Sequence, residues 1–385
     1  MGIAELRAYL DGHLEEMLGT LKALVEHESP STDKATLDAL AEVLVAQWQG
    51  LGATAEVVDG GEHGNHVLVR VPAESEAANA QPPAMIIGHF DTVWPAGTLT
   101  RKPFAVDGGR ATGPGIYDMK GGLAIAEWAL RAIQAVGAKL PRPVVLVLNA
   151  DEETGSATSR ALIEAEARTA VYVLVLEPAM VSGAVKTSRK GVGGFKVEVT
   201  GLASHAGGAP QEGVSAIEEL ARQILRLHSF TDYKVGTTVN AGVIEGGTRS
   251  NVVAAHARAE VDTRASTKEE AHRLTEQILS IQPFDERTQV DVTGYFDRMP
   301  LERTEGTVAL FRLAQRLGYE MGVELEEASS GGGSDGNFTS ALGVPTLDGL
   351  GVVGDGAHAE HEYIEVASLP ERAAIVAGLL LEAGS

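Results

Sequence analysis

Cysteine is absent from all 385 residues. That excludes disulfides and thiolate metal sites, so any bound metal must be held by histidine and carboxylate. Positive charge is scarce, with 31 Lys and Arg against 53 Asp and Glu and a formal net charge of −22. Such a balance argues against nucleic acid and anionic membranes as partners. It also means that an acidic substrate would need local arginines. Long apolar runs are missing, and none approaches a membrane span. The first 28 residues are charged and helical in pattern, without a signal-type apolar stretch, so a cytoplasmic protein is expected. A hydrophobic content of 44% supports a sizeable core, and the length fits one large or two ordinary domains.

What is present is a series of short Val- and Ile-rich runs, each ending in acid or histidine. Met85-Ile86-Ile87-Gly88 leads into His89-Phe90-Asp91, and Val144-Val145-Leu146-Val147-Leu148 leads into Asp151-Glu152-Glu153. Val171-Tyr172-Val173-Leu174-Val175-Leu176 leads into Glu177, and the turn Gly113-Pro114-Gly115 precedes Asp118. Runs of this kind read as buried strands of a parallel sheet. In open α/β sheets ligands bind beyond the carboxyl ends of the strands. His89, Asp118, Glu152, Glu153 and Glu177 should therefore converge on one crevice. Several carboxylates cannot share a dry crevice unpaired, because their mutual repulsion would drive protons on. A pair of divalent cations removes that problem, and the chain reads as a two-metal hydrolase.

The wider pattern is α/β. Residues 3–28 and 32–51 read as amphipathic helices, 55–58 and 66–71 as early strands, and 74–83 as an exposed loop. Helix 120–136, strand 143–149 and helix 156–167 follow. From about Val192 the strands alternate, and the order strand 195–200, helix 214–227, strands 237–244 and 255–263, helix 267–280, strand 287–295 is βαββαβ. That is the order of a ferredoxin-like sandwich with an antiparallel sheet. Helix 304–319, a glycine-rich loop and a closing helix 368–382 complete the chain. The expected architecture is a mixed, mostly parallel sheet with helices on both faces, carrying an inserted ferredoxin-like α+β dimerisation domain. The catalytic domain occupies residues 1–188 and 299–385, and the inserted domain 189–298. Two consecutive domains are the alternative division.

His89-x-Asp91, Gly113-Pro114-Gly115-Ile116-Tyr117-Asp118-Met119-Lys120-Gly121-Gly122, Asp151-Glu152-Glu153-Thr154-Gly155 and Glu177-Pro178 together resemble the M20 zinc peptidases. The resemblance is nearest the glutamate carboxypeptidase, or carboxypeptidase G-like, branch. It continues through Gly201-x-x-Ser204-His205-Ala206-Gly207, Asp262-x-Arg264, Gly331-Gly332-Gly333-Ser334-Asp335-Gly336 and His358, in family order over nearly the whole chain. It implies two zinc ions per chain, one on His89 and Glu177 and the other on Glu153 and His358, with Asp118 as the bridge. One carboxylate can hold two cations about 3.5–4 Å apart, and the O/N donor set suits zinc while also fitting Co²⁺ or Mn²⁺. His361 competes with His358 for the last position. Asp91 lies two residues after His89, on the same strand face, where it can fix the imidazole tautomer.

The resemblance also makes Glu152 the general base for attack by a metal-bridging hydroxide, and Glu153 the ligand. It implies that the Asp118–Met119 peptide is cis and that His205 crosses a homodimer interface to stabilise the partner's oxyanion. Asn251, Arg264, Arg298, Gly333 and Ser334 are substrate-facing candidates, with arginine gripping a carboxylate bidentately. The expected substrate is a small peptide or N-acyl amino acid cleaved next to a free carboxylate, with C-terminal glutamate released. A deacylase of the acetylornithine or succinyl-diaminopimelate type is the alternative enzyme. A metal-free binding or regulatory protein on the same fold is the alternative class.

Overall fold

The computed structural model describes residues 2–384 and divides into two compact units. The first comprises the chain up to Ser188, Arg303–Ser329 and the chain from Ser334 onward. Its main sheet runs Thr54–Val58, His66–Val71, Val144–Asn149, Ala84–His89, Tyr172–Val175, Thr346–Leu347 across its width. The first two junctions are antiparallel and the last three parallel. Ala84–His89, Val144–Asn149 and Tyr172–Val175 are buried on both faces while the edge strand Thr54–Val58 is not, and the two-residue alternation sorts the side chains. Val67, Val69, Ile86, Leu146, Leu148 and Leu174 meet the helices Lys34–Gly50, Gly121–Ala135 and Ser368–Glu382. Met85, Ile87, Val145, Val147, Val173 and Val175 meet Arg160–Ala167 and Gly336–Ala341. Each such buried aliphatic side chain contributes about 1.5–3 kcal/mol relative to exposure. That is why no charged residue interrupts Ala84–His89, Val144–Asn149 and Tyr172–Val175 before their carboxyl ends.

The amino-terminal helix expected over 3–28 is two helices, Ile3–Gly12 and Leu14–Glu26. The break follows Gly12, where His13 leaves helical geometry and its Nδ1 sits 2.7 Å from the Tyr9 carbonyl. The loop expected at 74–83 holds a single helical turn, Glu76–Asn79, capped by the Ser75 side chain.

The second unit comprises Arg189–Glu302 and Ser330–Gly333. Its strands lie in the order Thr238–Gly246, His256–Ala265, Gly191–Thr200, Gln289–Arg298, every pair antiparallel. Phe195, Val197, Val199, Ala259 and Val261 form one face with Leu220 and Leu227 of helix Ala216–His228 and Leu274 and Ile278 of helix Lys268–Leu279. Ser215 and Thr267 start these helices by accepting from the N–H groups of Glu218 and Glu270, three residues on. The segment beyond Arg298 stays with this unit because Leu301 exchanges backbone hydrogen bonds with Arg189 at 2.9 and 3.1 Å. Lys190 similarly donates to the Ser330 carbonyl at 2.9 Å. Among the described residues no helix is long and apolar enough to cross a membrane.

Candidate metal centre

Sheet register levels the three chain ends that matter. His89 is opposite Asn149, and Ile87 opposite Val175, so His89, the 151–153 turn and Glu177 emerge side by side. Asp151 shapes the turn rather than facing the crevice. Its carboxylate accepts from Thr158 N at 2.8 Å, Ser159 N at 3.3 Å and both hydroxyls at 2.7 and 2.5 Å. These bonds hold residues 158 and 159 ahead of the helix, Ser156 has φ 59°, and the helix expected from Ser156 starts at Arg160.

A second, smaller sheet places the other two residues. Arg110–Thr112 pairs with Ala105–Asp107 on one side and Tyr363–Glu365 on the other, and Gly354–Asp355 closes the outer edge. Arg110–Thr112 runs into the Gly113–Asp118 turn, while Gly354–Asp355 and Tyr363–Glu365 are the arms of the loop carrying His358. Gly115 has φ 68°, and the Asp118–Met119 peptide is cis. Lys120 follows, buried, with its ammonium donating to the His27 carbonyl at 2.6 Å. Burial lowers its pKa to about 7. The next helix approaches so closely that a Cβ on Gly122 would collide with the Leu176 carbonyl oxygen.

The two oxygens of Asp118 face different histidines. Oδ1 lies 3.2 Å from His89 Nε2, which is itself 3.5 Å from Glu177 Oε1. Oδ2 lies 3.4 Å from His358 Nε2, which is 3.1 Å from Glu153. His361 is exposed. Glu152 presents an oxygen within 4.8 Å of ligand atoms of both His89 and Glu177. That distance suits either a ligand or a base facing a water held there. The other nitrogen of His89 faces Asp91, 3.0 Å from its main-chain oxygen and 3.3 Å from its carboxylate. The Asp91 carboxylate also accepts from Glu152 N and Glu153 N at 3.2 Å and from Ser31 Oγ at 2.7 Å. One buried acid thus orients both an imidazole and the paired glutamates.

The charges need a cation. Burial lowers the His89 pKa, but hydrogen bonds to Asp118, Asp91 and Glu177 outweigh it and raise it well above the ordinary value. Hydrogen bonds to Asp118 and Glu153 raise His358 to about 10. Burial works against ionised Asp118, yet the two histidines hold its pKa below the carboxylate range. Burial raises Glu153, with the Asp118 charge adding to the effect. Asp91, Asp118, Glu152, Glu153 and Glu177 thus crowd acid around two imidazoles and call for positive charge. A divalent ion at each Asp118 oxygen would supply that positive charge and release the histidine protons, and the donor set of nitrogen and oxygen fits zinc.

The remaining candidates behave differently. His205, Asn251, Arg264, Arg298 and Gly333 belong to the second unit. His205 is exposed, and its Nδ1 accepts from Gly207 N at 3.1 Å and Gly208 N at 2.9 Å, leaving Nε2 as the protonated nitrogen. Asn251 lies beside it, its main-chain carbonyl accepting from Ala206 N at 3.0 Å. The Arg264 fork is engaged by Asp262 at 3.0 and 2.9 Å. Arg298 is buried, 3.4 Å from Asp297, with Gly333 packed against its side chain. Ser334 is fully buried in the first unit, and its hydroxyl donates to Asp348 at 2.6 Å, so it stiffens the glycine-rich loop from inside. Ser31, Asp151 and Glu362 take part in the centre and were not singled out from sequence.

A model of peptidase family M20/M25/M40 matches residues 85–382. The chain is 31% identical over 378 residues to carboxypeptidase G2 of Pseudomonas sp. (strain RS-16), covering 96% of this chain and 89% of that protein. It is 27% identical to the succinyl-diaminopimelate desuccinylase of Dechloromonas aromatica, over 78% of this chain and 83% of that protein. Among solved structures, the aminopeptidase PepT of Bacillus cereus superposes with a TM-score of 0.79 at 24% identity, covering 95% of this chain and 98% of that one.

Proposed function

The chain belongs to peptidase family M20/M25/M40 and is an enzyme of its metallopeptidase and amidohydrolase kind, and on that premise we propose that it is a two-zinc carboxypeptidase releasing a C-terminal glutamate. The observation that carries the two-metal reading is Asp118, whose oxygens face His89 at 3.2 Å and His358 at 3.4 Å. His89 and Glu177 would hold one ion, Glu153 and His358 the other. Zinc held by these residues would lower the pKa of bound water towards neutrality and polarise a carbonyl. Glu152 takes the proton from the attacking water and passes it to the leaving amine. Asp91 keeps His89 in one tautomer and holds the backbone of Glu152 and Glu153. The protonated Nε2 of His205, with Asn251 beside it, donates to the oxygen on which charge develops.

The substrate reading rests on similarity to carboxypeptidase G2 along most of both chains, and on an arginine at position 298 in a strongly acidic protein. Arg298→Ala is expected to lower kcat/KM for a C-terminal glutamate substrate by about ten- to 150-fold, since charge-assisted hydrogen bonds contribute roughly 1.5–3 kcal/mol. An amide analogue without the side-chain carboxylate should lose much less. Equal losses on both substrates would make Arg298 structural. The second reading, an N-acyl amino acid deacylase, is favoured by similarity to the desuccinylase. Hydrolysis rates on a panel of acyl-glutamates, dipeptides and acylated amino acids separate the two.

The second unit is the proposed homodimer interface. If His205 serves the partner's site, mixing His205→Ala chains with Glu152→Gln chains should restore activity, because one site per hybrid keeps both residues. Verified heterodimers that remain inactive would place His205 in its own chain's site or outside catalysis.

A further inference from the structure

We propose that Glu362 is a positioning residue that ties the Asp118 turn to the His358 loop and so sets the spacing of the two metal positions. The inference rests on reading Asp118 and His358 as ligands. Glu362 lies four residues after His358 and is 1% exposed. One carboxylate oxygen accepts from Tyr117 N at 2.9 Å and Asp118 N at 3.3 Å. The other accepts from Gly115 N at 3.1 Å and Trp94 Nε1 at 2.7 Å. Three of the four donors are the main chain of the turn that presents Asp118. A side chain on the His358 loop therefore supplies the acceptors that this turn lacks within itself.

The His358 side chain has little packing of its own, being 51% exposed on a residue with φ 62°. Beyond its polar contacts with Asp118 and Glu153, its direction is set by the loop backbone. Gly356 at φ 84° folds the loop so tightly that a Cβ there would lie 2.9 Å from Glu362 Cα. On the other side Lys102 fixes the segment between the two residues, its ammonium 3.3 Å from the Ala359 carbonyl and 3.0 Å from that of Glu360. Lys102 itself rests 4.4 Å above the Trp94 ring, whose indole N–H is the fourth donor to Glu362. Turn and loop are thus one hydrogen-bonded body, and the 3.4 Å gap between Asp118 Oδ2 and His358 Nε2 follows from it. Supporting residues of this kind commonly change metal affinity about 10–100-fold.

Glutamine has nearly the same shape as glutamate but brings an NH₂ group into a pocket lined by N–H donors. Glu362→Gln should therefore weaken zinc binding in chelator competition at least about tenfold. It should change the visible spectrum of the Co²⁺-loaded protein and shrink the rise in Tm that zinc produces. Glu362→Asp, which keeps the buried charge but shortens the reach by one methylene, should show a smaller loss in the same direction. A carboxylate that merely stabilised the fold would lower Tm of the metal-free and zinc-loaded forms equally. Wild-type zinc affinity and cobalt spectrum in either folded variant would overturn the proposal. A wild-type chain that binds no zinc would overturn the ligand assignment itself, and this inference with it.

Discussion

Glu152→Gln is expected to lower turnover at least about a hundredfold while the protein keeps both zinc ions. Glutamine preserves the volume and the backbone bond from residue 152 to Asp91, but it cannot accept a proton at neutral pH. General acid–base catalysis contributes about 10²–10⁴-fold, so the loss should show in kcat more than in KM. Metal content after dialysis decides what the loss means. Glu152 shares a 4.8 Å neighbourhood with His89 and Glu177, close enough for a ligand. Zinc retained with turnover lost makes it the base; zinc lost makes it a ligand and moves the base elsewhere. Near-normal turnover would remove it from the chemistry.

Asp118→Asn should have the larger effect on metal. Asparagine keeps one oxygen and replaces the other with an amide that cannot bind a cation, so no bridge survives. Both positions should empty or weaken together, and kcat/KM should fall by more than the about 10–100-fold typical of residues behind the ligands. Excess zinc should not restore normal activity. Zinc analysis against the wild type checks this, with Tm of the metal-free protein to show that the chain still folds. One ion held at wild-type affinity would mean that Asp118 serves a single metal.

Much of this was readable from the chain because the parallel strands are buried on both faces. Their apolar runs stop where solvent-facing chemistry begins, so His89, Glu153 and Glu177 mark strand ends in the sequence itself. The βαββαβ order of the second unit was readable for a related reason, since strands with one polar face alternate visibly. The small sheet was not. Ala105–Asp107, Arg110–Thr112, Gly354–Asp355 and Tyr363–Glu365 are two or three residues each, too short for any period to register. Glu362 was hidden by its surroundings, since His361-Glu362-Tyr363 reads as a solvated turn until the Gly115–Asp118 backbone is brought against it. The helix start at Arg160 was obscured because Asp151, several residues earlier, holds the Thr158 and Ser159 main chain ahead of it.

Gly122 has no functional group, yet it limits what the centre can become. It is the second residue of helix Gly121–Ala135, and its lack of a Cβ leaves room for the carbonyl of Leu176, the neighbour of Glu177. A single methyl would push that strand end away from the helix that follows Asp118. Mutational libraries that protect only acids and histidines would leave this position open and fill with inactive variants there. A search pattern built on the ligands alone would likewise admit chains with no space to bring them together. The glycine is a spacer gauge for the reaction centre, and it belongs in any minimal description of what such a chain must keep.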